Sequence, residues 1–164
     1  MKHTLVALME NKPGVLNRIA SLFRRRNFNI ASLTVGASET PHVSRMTIVV
    51  DVDSEVAAIE QVVKQLYKVI NVLKVTDVTD DPIVTRELAL IKVSATGSNR
   101  AEIVQLVDIY RAGIVDVSLD SVIIEVTGTE DKIDSMVQLL RGYGIKEMLR
   151  TGRVAMVRSA AGRS

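Results

Sequence analysis

Residues 3–37, HTLVALMENKPGVLNRIASLFRRRNFNIASLTVGA, decide the fold. The opening HTLVALME is β-prone and apolar at successive positions, so both faces of this strand are covered and it lies inside a sheet. NKPG then breaks the pattern. From Val15 the apolar residues Leu16, Ile19, Ala20 and Phe23 recur at helical spacing, which predicts a helix to about Arg26 with Pro13 placed where a first-turn N–H is not missed. Arg24, Arg25 and Arg26 complement the negative end of that helix, and the run reads as a solvated terminus rather than a nucleic-acid patch. FNIASLTVGA, about 28–37, is a second strand.

Working outward, SRMTIVVDV alternates Met46, Ile48, Val50 and Val52 with Arg45, Thr47 and Asp51, the pattern of a third strand. Asp53 or Ser54 is placed to cap a helix whose stripe is Val56, Ile59, Val62, Val63, Leu66 and Tyr67, and a fourth strand follows near 71–78. The order is β-α-β-β-α-β, a split βαβ unit in which two helices cover one face of a four-stranded sheet. TDDPIVTRE, 79–87, is polar and contains Pro82, which predicts a linker.

Beyond it the pattern repeats. LALIKVSA is a strand; Asn99 and Glu102 have capping-box spacing ahead of Ile103, Leu106, Val107 and Tyr110. IVDVSL and SVIIEVTG are two more strands. Thr129 is placed to cap a helix of Ile133, Met136, Val137 and Leu140, with Gly142 at its stop, and EMLRTGRVAMVR supplies closing strands. Two copies of one topology make a tandem pair in the α+β class, two ferredoxin-like βαββαβ domains.

The composition narrows function by exclusion. With 164 residues, 47% hydrophobic and 24% charged, the chain holds a packed core and a soluble surface. A formal charge of +2 is too small for wholesale nucleic-acid coating. There is no cysteine, which removes disulfides, thiolate metal sites and cysteine nucleophiles. No apolar run approaches the roughly 20 residues of a membrane span. The strand pattern starts almost at Met1, so a targeting extension is not expected and a cytoplasmic protein is.

If the sheet has the order usual for this unit, strands two and four are its edges. Strand four carries Lys74 and Asp77, charges that discourage pairing, whereas Asn27 to Ser38 contains no charged residue. An unprotected border at Ser32, Leu33, Thr34 and Val35 predicts dimerisation that joins two sheets into one; the alternative is a border covered by the chain's own second domain. The loop NKPGVL adds chemistry to this end of the molecule. A helix N-terminus offers free N–H groups, Gly14 admits a ligand close to the backbone, and Asn11 and Asn29 offer amides with both donor and acceptor. Such groups suit a free amino acid, with Val15, Leu16, Ile30 and Leu33 as aliphatic lining. Ordinary turn chemistry at Pro-Gly is the competing explanation.

These stretches carry a resemblance. MENKPGVLNRIASLFRRRNFNIASLTVG, VSRMTIVV, TRELALIKV, IVDV and RTGRVAMVR together resemble the regulatory small subunits of acetohydroxyacid synthase (acetolactate synthase), in order and over nearly the whole chain. The first segment alone is similar to ACT domains, modules that bind amino acids. The resemblance implies an ACT domain over 1–79, a linker over 80–87 and an ACT-like domain of the small subunit over 88–164. It implies a non-catalytic chain that activates a catalytic large subunit of branched-chain amino acid (valine, leucine, isoleucine) biosynthesis and confers feedback inhibition by valine. Thiamine diphosphate, magnesium and FAD would then sit on the catalytic partner, with no cofactor on this chain. Carried onto this sequence, the effector site is Asn11, Gly14, Val15 and Leu16 from one chain and Asn29 and Ile30 from a second, with Gly36 at a position where family members affect feedback sensitivity. The family's usual glycine before the aromatic of strand two is Asn27 here, a residue that tolerates the left-handed backbone. The second repeat has GSNR in place of NKPG, so no effector site is expected there.

Rival classes fare poorly. His42 with Ser38 and Ser44 lacks a third partner for nucleophilic catalysis, and His3 is a strand residue. Asp51, Asp53 and Glu55 lack the glycine and distal glutamate of a calcium loop. RNA-recognition domains share the βαββαβ order but stack bases on sheet aromatics, and strands one and three here have none. A generic amino-acid sensor acting on another enzyme or on a transcription regulator is the remaining alternative.

Overall fold

In a computed structural model, which describes residues 1–52 and 56–159, the opening strand forms as β1 (Lys2–Glu10). Leu5, Ala7 and Met9 point into one apolar layer, while Val6 on the opposite face packs with Val78 and Ala155. Both faces are covered, as the sequence requires. The helices α1 (Val15–Arg25) and α2 (Val56–Tyr67) close the first layer with Ile19, Leu22, Phe23, Ile59, Val62 and Leu66. The expected cap at Asp53 or Ser54, the Val56 side chain and Glu55 lie outside the described residues.

β2 (Asn29–Ala37), β3 (Val43–Asp51) and β4 (Val72–Asp77) complete an antiparallel sheet of order β2-β3-β1-β4. The edges are therefore β2 and β4. Register sets the core: Leu5 and Leu33 both oppose Ile48, one from each side.

Two helix ends explain why the chain turns where it does. Gly14 caps the start of α1 at φ 83°, so Pro13 stands just before the cap rather than in the first turn. At the other end Asn27 adopts φ 56°. The Asn27 amide donates to the Arg24 carbonyl and the Phe28 amide to that of Phe23, with the Phe23 and Phe28 rings meeting edge-on at 6.3 Å. This is a Schellman stop with its apolar clasp, and asparagine serves there for glycine.

The chain divides into two units, Met1–Val84 with the segment from Val154, and Thr85–Arg153. The second unit repeats the order with β5 (Ile83–Ser94), α3 (Arg100–Ile109), β6 (Gly113–Val117), β7 (Ser121–Gly128), α4 (Glu130–Leu140) and β8 (Ile145–Arg150). Its strands run β6-β7-β5-β8 over a core of Ala89, Ile91, Val93, Ile103, Val107, Ile124, Ile133 and Met136. α3 stops as α1 does, with Arg111 at φ 51° and the Ala112 amide donating to the Val107 carbonyl over 2.8 Å.

Several expectations need correction. The linker placed at 80–87 is already strand from Ile83, because β5 carries Glu87 inward to Arg150. β9 (Val154–Val157), read with the closing strands of the second domain, does pair with β5 in the second sheet, but its side chains also serve the first unit: Ala155 is buried against Val6 and Val78, and the segment from Val154 groups with that unit. The capping box at Asn99 and Glu102 does not form. The Asn99 side chain accepts the Thr96 amide at 2.8 Å, and Glu102 accepts the Tyr143 hydroxyl at 3.0 Å, which raises the Tyr143 pKa. Thr129 occupies the cap position of α4 without a side-chain cap bond. The left-handed residue after α4 is Gly144, at φ 97°, not Gly142.

Candidate functional site

The loop between β1 and α1 is held by backbone bonds and one ion pair. The Glu10 amide donates to the Asn71 carbonyl and the Asn11 amide to that of His42, each over 2.8 Å, and Lys12 pairs with Glu10 at 2.8 Å. Asn11 and Gly14 are exposed. α1 has neither a side-chain cap nor an acidic residue in its first turn, so nothing on its own helix answers the positive end of the dipole. A β-carbon at Gly14 would meet open space; the positive φ, not crowding, selects glycine. Val15 is buried in the core, whereas Leu16 is 46% exposed beside the loop.

β2 supplies the second half. Among the described residues its one ladder partner is β3, so β2 is an edge of the sheet. Ile30 and Leu33 lean on the helical core, Ser32 and Thr34 are half-buried, and Asn29, Val35 and Gly36 are exposed. Leu33 is thus a core residue as well as an edge residue. A register shift between Ile30 and Ser32 bulges the strand just after Asn29 and Ile30.

Register separates the two groups of residues within one chain. Glu10 pairs with Val43 and Ala37 with Ser44, at the end of the sheet where the Asn11–Gly14 loop begins. Asn29 pairs with Asp51, as does Lys2, at the opposite end. Eight residue steps at roughly 3.3 Å put Asn29 about 26 Å along the strand from that loop. Gly36, by contrast, lies at the loop end. Of the residues singled out in the sequence, one chain brings together Asn11, Gly14, Val15, Leu16 and Gly36, and holds Asn29 and Ile30 apart from them.

Ser38 donates to the Val43 carbonyl at 2.6 Å, an ordinary role in the turn that also holds His42 at φ 64°. The residue that sequence reading missed is Arg45, opposite Gly36 in register, whose guanidinium donates to the Ala155 carbonyl. A partner 110 residues on leaves no local signal.

A sheet of order β2-β3-β1-β4 with both helices on one face, repeated in tandem, defines a pair of ferredoxin-like, ACT-type domains. Residues 5–74 match the family described as AHAS small subunit-like ACT domain, and residues 86–159 match that described as small subunit of acetolactate synthase. An Archaeoglobus fulgidus protein named "Probable acetolactate synthase small subunit" is 60% identical over 96% of this chain and 98% of its own. The acetolactate synthase small subunit of Bacillus subtilis is 51% identical over 96% of this chain and 91% of its own. The crystal structure of the Thermotoga maritima small subunit superposes with a TM-score of 0.90 at 45% identity, covering 98% of this chain and 99% of that one. The chain belongs to the acetolactate synthase small-subunit family.

Proposed function

We propose that this chain is the regulatory subunit that activates the catalytic large subunit of acetolactate synthase and makes it sensitive to valine in branched-chain amino acid biosynthesis. Thiamine diphosphate, magnesium and FAD belong to the catalytic partner in this reading. Two copies pair through β2, and valine binds where they meet. The observation that carries the proposal is the placement of Asn29 at the far end of the sheet from Asn11 and Gly14. An antiparallel twofold pairing of β2 with β2 reverses one copy, and so brings Asn29 of a second copy to the loop end of the first. The helix N-terminus then faces the carboxylate, the asparagine amide oxygens accept from the ammonium, and Leu16 and Ile30, backed by the buried Val15, receive the aliphatic side chain.

Inhibition follows only if valine binds one dimer geometry more tightly than another, and the catalytic subunit responds to that geometry. A tenfold preference corresponds to about 1.4 kcal/mol, the scale of one or two hydrogen bonds. The test is Asn11→Ala and Gly14→Asp assayed with the large subunit. The first removes an amide and the second places a competing carboxylate at the helix end. Activation persists in both while valine inhibition is lost; full valine sensitivity in both contradicts the site.

A further inference from the structure

The helical layer of the first unit is basic beyond what its helix ends require. α1 and α2, with the residue after each, carry Arg18, Arg24, Arg25, Arg26, Lys64 and Lys68 against a single carboxylate, Glu60. All six are exposed, and among the described residues none forms an ion pair. The second unit is an internal control. α3 and α4, counted the same way, carry five carboxylates, Glu102, Asp108, Glu130, Asp131 and Asp134, against three bases. Two of those bases are engaged, Arg100 with the Ala95, Ser118 and Leu119 carbonyls and Lys132 with that of Thr127. The shared fold therefore does not demand a positive helical face.

Within that layer Arg25 and Arg26 line a groove of about 320 Å³ with Leu22 and Gln65. Leu22 is buried and gives an apolar floor, Gln65 is half-buried, and Arg25 and Arg26 are exposed. Paired forks over an apolar floor match a carboxylate side chain on a short aliphatic stem. On the far face of the sheet Ala155 and Ile83 pack at Val6 and Val78, and the β2 border serves the proposed twofold.

We infer that the α1–α2 face is the docking surface for an acidic patch on the catalytic large subunit, with a carboxylate of that subunit seated between Arg25 and Arg26. The inference rests on the proposed regulatory role and names the surface through which it acts. Charge complementarity of this kind sets association rate and salt dependence as well as affinity.

The experiment measures association of the full-length chain with its catalytic large subunit across a salt series. Wild type is compared with Arg25→Glu/Arg26→Glu and, as a control on the other unit, Arg141→Glu. The double reversal is expected to weaken association by about tenfold to a hundredfold and to flatten its salt dependence, the control to change neither. Sedimentation and valine calorimetry of the isolated chain stay as in wild type. If the reversal perturbs the circular dichroism, Arg25→Gln/Arg26→Gln gives the same reading with a smaller effect. Unchanged association in the double variant overturns the inference, as does loss of binding to an RNA homopolymer with large-subunit binding intact, which would assign the face to phosphates. Failure of wild type to bind the large subunit overturns the regulatory role itself, and is distinguished by being seen before any substitution.

Discussion

The Arg45 guanidinium donates to the Ala155 carbonyl over 2.8 Å, so a side chain of β3 holds β9 against the sheet face opposite the helices. Arg45 is half-buried and opposes Gly36 on the border strand, which puts the anchoring of β9 one strand away from the proposed interface. A charged donor on a backbone acceptor contributes about 1.5–3 kcal/mol. Arg45→Ala should therefore raise hydrogen-exchange rates of the β9 amides by at least about tenfold while those of Ile48 and Val50 change little. Equal protection of β9 in both proteins would show that Ala155 packing and the pairing with β5 hold the strand without Arg45.

Arg111 occupies the left-handed stop of α3 that Asn27 occupies in α1. A left-handed residue other than glycine or asparagine carries a steric cost of about 1–2 kcal/mol, part of which glycine returns through the freedom of its unfolded chain. Arg111→Gly is expected to raise stability by about 0.5–1 kcal/mol in urea unfolding. Asn27→Gly should gain less, because asparagine already tolerates the conformation.

Glu87 is buried, and Arg150 bridges it to Asp134, with 2.7 Å from Nε to the Glu87 carboxylate and 2.6 Å from Nη1 to Asp134. Burial works against the charge on Arg150, but the bonds it donates to Asp134 and Glu87 outweigh it and keep the guanidinium above its usual range. Removing one partner strands the other, so Arg150→Met should cost about 2–4 kcal/mol, and Glu87→Leu in the same chain should restore part of the loss. Additive losses in the double variant would mean the two side chains act independently.

Much of this arrangement is legible in the sequence because each cue is local. Apolar residues on both faces of HTLVALME mark a central strand, and the uncharged run from Asn27 to Ser38 marks a border. What is not legible depends on partners far along the chain. IVTRE looks polar until Glu87 meets Arg150, 63 residues later, and becomes strand rather than linker. Asn99 and Glu102 have the spacing of a capping box but are drawn off to the Thr96 amide and the Tyr143 hydroxyl. VAMV follows the second repeat in order and pairs with β5, yet it also buries Ala155 against Val6 of the first unit. At the site, the loop and the border were each readable from residue type; that one chain keeps Asn29 away from Asn11 required the register.

A charge on the border separates its two roles. Leu33 also packs on the core, so a charge there disturbs folding, whereas Val35 is 42% exposed at the loop end of β2. Val35→Asp places like charges on both copies of a twofold pair and should shift the sedimenting species from dimer to monomer, with a melting transition close to that of wild type.

Valine calorimetry on wild type and Val35→Asp, each with its sedimentation measured at the same concentration, tests the central claim most directly. Saturable heat from the wild-type dimer and none from the monomeric variant is the predicted result. A monomer that binds valine as tightly as wild type would contradict it, because one chain alone would then hold the whole site.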